Sequence, residues 1–186
     1  MINVLAGALR ISRRHADLAA FRGWLCFVVG CLFSFQTQAV SVHASDITPS
    51  IDTTPILTVS DSDRVVSLSM SDIESLDLFE TDDMTHFDGP KGKFAGVWLN
   101  DFLKKYQLDD ALRLRLVALD GYEVFLPKEG RERKQYLLVT RLNGLPVSAS
   151  DLGPLMLIIP SDSDLPSHLA ESKTFWIWAI NDIVAQ

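Results

Sequence analysis

"LRLRLVALDGYEVFLP", residues 112–127, is the stretch whose reading decides the fold. Leucine and arginine alternate from Leu112 to Leu116, the period of two that sends successive side chains to opposite faces of a strand. The run then becomes wholly apolar through Leu119, as in a strand entering a core. Asp120-Gly121 follows, a pair that favours tight hairpin turns, and "YEVFLP" returns as the partner strand. A mid-chain antiparallel hairpin is expected, which excludes an all-helical arrangement.

Working outward, "ILTV" from Ile56 opens the domain and "RVVSLS" (64–69) alternates like an edge strand. "YLLVTRL" (136–142) is a further strand closed by Asn143-Gly144. "GPLMLIIP" (153–160) reads as a buried strand bounded by proline, and "FWIWAINDIV" (175–184) as a final, aromatic-rich strand. Ser71 and Glu74 have capping-box spacing and predict a short helix through Leu76. Trp98, Phe102 and Tyr106, with Leu99 and Leu103, recur at helical intervals and predict an amphipathic helix beginning near Val97. "KEGRER" (128–133) reads as a charged loop, and 85–96, with Gly89, Gly92 and Gly96, as a mobile Gly-rich loop. Many strands with two short helices and no internal repeat give an α+β domain of mixed β-sheet.

The N-terminal fifth has a different character. Arg10, Arg13, Arg14 and Arg22 precede the apolar run "WLCFVVGCLFSF", and small-residue sites follow at Ala39 and Ala44. That order is the pattern of a secretory signal whose apolar part is short for a membrane span. The Arg13-Arg14 pair raises twin-arginine export, but the residues after it, Asp17 included, favour the general secretory route. The expected division is a signal peptide over 1–44, a mobile polar arm over 45–55 and one domain over 56–186, with periplasmic localisation.

Cleavage after Ala44 removes four arginines and one aspartate, taking the formal net charge from −7 to −10. A surface this acidic repels phosphate backbones and argues against nucleic acid as a partner. Both cysteines, Cys26 and Cys31, lie in the leader, so a processed chain has no disulfide, cysteine nucleophile or thiolate ligand. His86 with Asp82 and Asp83 lacks a second histidine at ligand spacing and reads as a set of solvated loop residues. The "SDSD" tetrads at 60–63 and 161–164 lack the glycine and distal glutamate of a calcium loop and read as acidic turns.

Five segments in register, "FAGVWLNDFL", "ALDGYEVFLP", "TRLNGLPV", "DLGPLMLIIP" and "WAINDI", resemble the sulfite-oxidase-type molybdopterin-binding domain, in particular its short single-domain periplasmic members. The likeness runs from residue 56 to 184. The departures fall at the cofactor. The enzymes carry a metal-binding cysteine before the helix, and no cysteine lies between Phe79 and Trp98. Met156 stands where the resemblance places a phosphate-gripping arginine, and Phe175 where it places a lysine.

A thiolate fixes and tunes a metal, and charge-assisted hydrogen bonds hold a phosphate. Their loss implies a chain without molybdenum or any catalytic cofactor. A flat pterin ring needs aromatic walls and a few polar groups at its rim. Phe87, Trp98, Tyr122, Arg141 and Asp151 are the candidate ligand-binding residues, Asp151 because a carboxylate offers two acceptors side by side. Each also has a structural reading: core packing for Phe87 and Trp98, a surface hydroxyl for Tyr122, a solvated side chain or an ion pair with Asp151 for Arg141, a turn cap for Asp151. Trp176 and Trp178 are expected on one face of the last strand, as core or as an interface patch.

The resemblance extends to periplasmic pterin-binding regulators, which implies a non-enzymatic sensor. Its partner would be the periplasmic domain of a membrane receptor of cyclic-di-GMP metabolism, a diguanylate cyclase or phosphodiesterase. Two other functions fit the same residues: a molybdopterin-dependent oxidoreductase with a non-cysteine metal site, and a cofactor-free interaction module.

Overall fold

A computed structural model describes residues 40–186 except Asp88, Ser167 and Ser172. Most of the expected leader therefore lies outside the described residues. No described helix is long and apolar enough to cross a membrane.

The chain is α+β, built mostly from strands. The decisive stretch forms β8 (Arg113–Ala118) and β9 (Glu123–Pro127), paired antiparallel from Arg113 opposite Pro127 to Val117 opposite Glu123. Leu114, Leu116, Val124 and Leu126 turn inward and are buried. On the outer face the Arg113 guanidinium lies 5.0 Å from the Phe125 ring centroid. Gly121 takes φ +84° in the turn, a conformation open to glycine without steric penalty.

This hairpin edges a five-stranded sheet of order β3 (Val65–Ser69), β2 (Pro55–Ser60), β13 (Ile180–Ala185), β8, β9. Its β13–β2 contact is parallel and the others antiparallel, so the sheet is mixed. A second sheet runs β1 (Val42–Ala44), β4 (Phe79–Thr81), β7 (Phe94–Trp98), β10 (Leu137–Leu142), β11 (Leu145–Pro146), with β12 (Met156–Ile158) also on β10. Asn143 and Gly144 both have positive φ, 52° and 78°, as a two-residue hairpin of matching twist requires. A small ribbon joins β5 (Met84–Thr85) to β6 (Lys91–Gly92).

Buried side chains from both large sheets form one continuous hydrophobic cluster. Helix α2 (Leu99–Lys105) closes part of it with Leu99, Phe102 and Leu103, each essentially inaccessible. Such burial contributes about 1.5–3 kcal/mol per large side chain. Gly96 permits the tight β7–β10 pairing, because a Cβ there would lie 2.0 Å from the Leu138 carbonyl oxygen.

Several boundaries differ from expectation. Helix α2 begins at Leu99, since Val97 and Trp98 are still paired with Leu138 and Leu137. The first helix, α1 (Met70–Ile73), is capped by Ser69 and Asp72 in a reciprocal box, not by Ser71 and Glu74. "KEGRER" is helix α3 (Lys128–Arg133), not a loop. Residues 85–96 are not one loop: the β5–β6 ribbon occupies the first part and β7 the last. The final strand starts at Ile180, so Trp176 and Trp178 precede it and do not share its face.

Val42–Ala44, assigned to the leader, is strand β1 on β4. The polar segment that follows runs along the domain, with Ser45 N donating to Leu78 O (2.8 Å) and Ser50 N to Glu74 Oε2 (2.6 Å).

Candidate functional site

Three chain segments distant in sequence meet at one cleft of about 340 Å³. The tip of the β5–β6 ribbon contributes Phe87, the β8–β9 turn contributes Asp120 and Tyr122, and the stretch before β13 contributes Lys173, Trp176 and Trp178.

His86 anchors the ribbon tip from below. It is fully buried, with its ring centroid 5.4 Å from Trp176 and 5.7 Å from Trp178, which corrects its reading as a solvated loop residue. Its Nδ1–H donates to the Phe87 carbonyl at 2.6 Å, holding the Phe87 backbone beside the ring. Gly89 is required here, because a Cβ would fall 2.7 Å from His86 Nδ1. The Phe87 ring meets Trp176 edge-on at 4.7 Å, a favourable aromatic geometry.

Trp176 is 2 % exposed and its indole N–H has no hydrogen-bond partner among the described residues. Buried indole donors ordinarily find one. Tyr122, by contrast, is half exposed at the rim. Its backbone N–H donates to Asp120 Oδ1 (3.0 Å), an Asx-type turn that fixes the carboxylate at the cleft. The Lys173 ammonium sits 4.8 Å from the Phe87 ring centroid. Among the described residues the cleft thus combines aromatic walls with one anion, Asp120, and one cation, Lys173.

Of the five expected ligand residues, Phe87 and Tyr122 come together here and the other three lie elsewhere. Trp98 packs at 5.4 Å against Phe79 and lines a separate groove with Val42, Arg133, Lys134 and Pro160. Arg141 is committed to Glu74, donating from Nε to Oε1 (2.8 Å) and from Nη2 to Oε2 (2.7 Å). The expected alternative, an Arg141–Asp151 pair, is replaced by this one. Asp151 caps its own turn, accepting from Ser148 Oγ at 2.8 Å. Met156 is buried in β12, and Phe175 lies 6.5 Å from the ring of Tyr136.

Glu74 is fully buried and also accepts from the Ser50 amide. Burial pushes its carboxyl up, but hydrogen bonds from Arg141, Thr140 and Ser50 outweigh that and hold it below the ordinary 4.5. The Glu74 hydrogen bond raises Arg141 in turn, against the opposing effect of burial.

Asp162, in the second "SDSD", is likewise buried and takes Lys134 Nζ at 2.5 Å and the Glu171 amide at 2.6 Å. It ties the base of the segment that leads to Lys173 and Trp176 onto the body of the domain. Among the described residues no three His, Cys, Asp or Glu side chains converge as a metal site would require.

The sequence reading missed Asp120 and Lys173 as cleft residues. In the sequence Asp120 reads as a turn residue, and nothing local marks Lys173. Trp176 and Trp178 carried a signal, since two large aromatics at a strand's end suit a ligand wall as well as a core. No family model matches the chain, and no curated protein matches it either.

Proposed function

We propose that this protein is a non-enzymatic pterin-binding protein of the periplasm, with a sulfite-oxidase-like α+β fold, which reports pterin occupancy to a membrane receptor of cyclic-di-GMP metabolism. One observation carries the ligand reading: four aromatic side chains, Phe87, Tyr122, Trp176 and Trp178, surround one open cleft that also holds a carboxylate. Flat heterocycles are bound by aromatic walls that desolvate their faces, with a few polar groups that read their edges.

A pterin presents an amino group and a ring N–H side by side. Asp120 has Oδ2 free of hydrogen bonds among the described residues, while Oδ1 is held by the Tyr122 amide. This carboxylate takes the role the sequence reading gave Asp151, since it is fixed at the aromatic walls. An acceptor on the ring would satisfy the Trp176 indole N–H after a small adjustment of the wall. The periplasmic assignment is supported by the basic, apolar, small-residue order of the N-terminus, and the fold and receptor by the five-segment resemblance. The absence of cysteine from the described residues supports the non-enzymatic reading.

The test is calorimetric titration of the purified protein with oxidised and tetrahydro pterins, followed by Asp120→Asn and Trp178→Ala. Micromolar binding that weakens about tenfold in Asp120→Asn supports the reading, in line with the worth of a charge-assisted hydrogen bond. Absence of binding by either redox form overturns it.

A further inference from the structure

We infer that Lys173 makes the cleft selective for flat aromatic ligands that carry an anionic substituent, and against their neutral analogues. This rests on the ring-binding role proposed for the same cleft and specifies the class of ligand it takes.

The cover over Phe87 governs what the cleft admits. Its ring has two useful surroundings: the edge-on Trp176 at 4.7 Å and the Lys173 ammonium at 4.8 Å from its centroid. A heterocycle stacking on the exposed face of Phe87 takes the place of that ammonium. Among the described residues the contact shown for the Lys173 ammonium is this ring face. Displacement by a neutral ring removes a cation–π contact and returns only dispersion. A ligand with a carboxylate or phosphate gives the displaced ammonium a better partner than the one it loses. Beside aromatic walls that pairing is less screened than on an open surface.

The second charge fixes orientation. Asp120 is held at the turn by the Tyr122 amide and repels an anion placed beside it. The donor edge of the ligand therefore faces Asp120 and its anionic end faces Lys173. Lys173 heads the 3-10 turn Lys173–Phe175, whose backbone leads directly into Trp176, with Trp176 N donating to Lys173 O at 3.0 Å. Recruiting the ammonium thus acts on the segment that forms the aromatic wall.

The experiment compares two probes with one ring, pterin-6-carboxylate and 6-hydroxymethylpterin, by calorimetry at neutral pH on the wild-type protein, Lys173→Met and Lys173→Arg. Wild type is expected to prefer the carboxylate about tenfold, near the worth of one charge-assisted contact. Lys173→Met should abolish the preference and bind the neutral probe a few-fold more tightly than wild type does, since no ammonium is displaced. Lys173→Arg should keep the preference. Equal wild-type affinity for the two probes, or a preference that survives in Lys173→Met, overturns the selectivity while leaving ring binding intact. Failure of wild type to bind either probe overturns the ring-binding reading itself, and the selectivity with it. Unfolding curves of the variants matching wild type exclude a folding artefact.

Discussion

Arg141 grips Glu74 through two parallel hydrogen bonds of 2.8 and 2.7 Å, joining β10 to the residue that ends helix α1. The pair is almost wholly enclosed, with side-chain exposures of 11 % for Arg141 and 0 % for Glu74. It also captures the polar N-terminal segment through the Ser50 amide. Removing one member leaves the other charge buried and unpaired.

For that reason Arg141→Ala is expected to destabilise the fold by about 3–5 kcal/mol, the range for breaking a buried pair. Urea unfolding measures the loss. Pterin affinity of the folded fraction should match wild type, because Arg141 lies outside the aromatic cleft. A tenfold loss of affinity at unchanged stability would return Arg141 to the ligand site.

The same pair sets an acid limit. The Glu74 carboxyl is held below its ordinary 4.5 in the folded state, so the native state favours the ionised form more than the unfolded chain does. Its contribution is complete above about 4.5 and is lost as pH falls through the folded value. Unfolding free energy measured from pH 6 downward should drop over that window, and Glu74→Gln should flatten the drop while lowering stability at neutral pH.

Phe87→Ala should weaken pterin binding by about tenfold, from lost stacking and lost apolar cover. Trp98→Ala should leave affinity unchanged and reduce stability, because that indole packs on Phe79 and lines a different groove. Fluorescence titration paired with thermal unfolding separates the two outcomes. A reversed pattern would move the site to the second groove.

Gly96→Ala should destabilise by more than about 3 kcal/mol, since the added Cβ meets a β10 carbonyl at 2.0 Å and backbone must shift. Gly89→Ala should act locally instead, displacing the His86 ring that supports Phe87. Equilibrium unfolding is expected to show a small effect for Gly89→Ala, and ligand titration a large one.

What the sequence made legible follows from the range of each signal. The β8–β9 hairpin could be read because its strands alternate and its turn has the right dipeptide, all within sixteen residues' span of local information. The Asn143-Gly144 turn was readable on the same grounds. Helix α2 is legible but its start is not, because Val97 and Trp98 satisfy a helical period while their backbones pair with β10. Glu74 sat at capping spacing, and nothing nearby revealed that Arg141 would claim it. His86 looked solvated among acidic neighbours, yet the ribbon folds it under Trp176 and Trp178. The cleft eluded the reading for one reason: its residues come from three segments brought together by tertiary packing.

Strand β13 is the last of the described strands to be synthesised, yet it lies at the centre of its sheet, with Thr58 of β2 opposite Asp182 on one side and Leu116 of β8 opposite Ile183 on the other. A nascent chain that stops before Ile180 holds β3–β2 and β8–β9 as two hairpins with nothing between them. Isolated hairpins are marginal in water, and pairings this distant along the chain form slowly. Closure of this sheet therefore waits on residues 180–185. Truncation just before Ile180 severs one sheet into two separate hairpins, a larger loss than removing six residues from an edge strand.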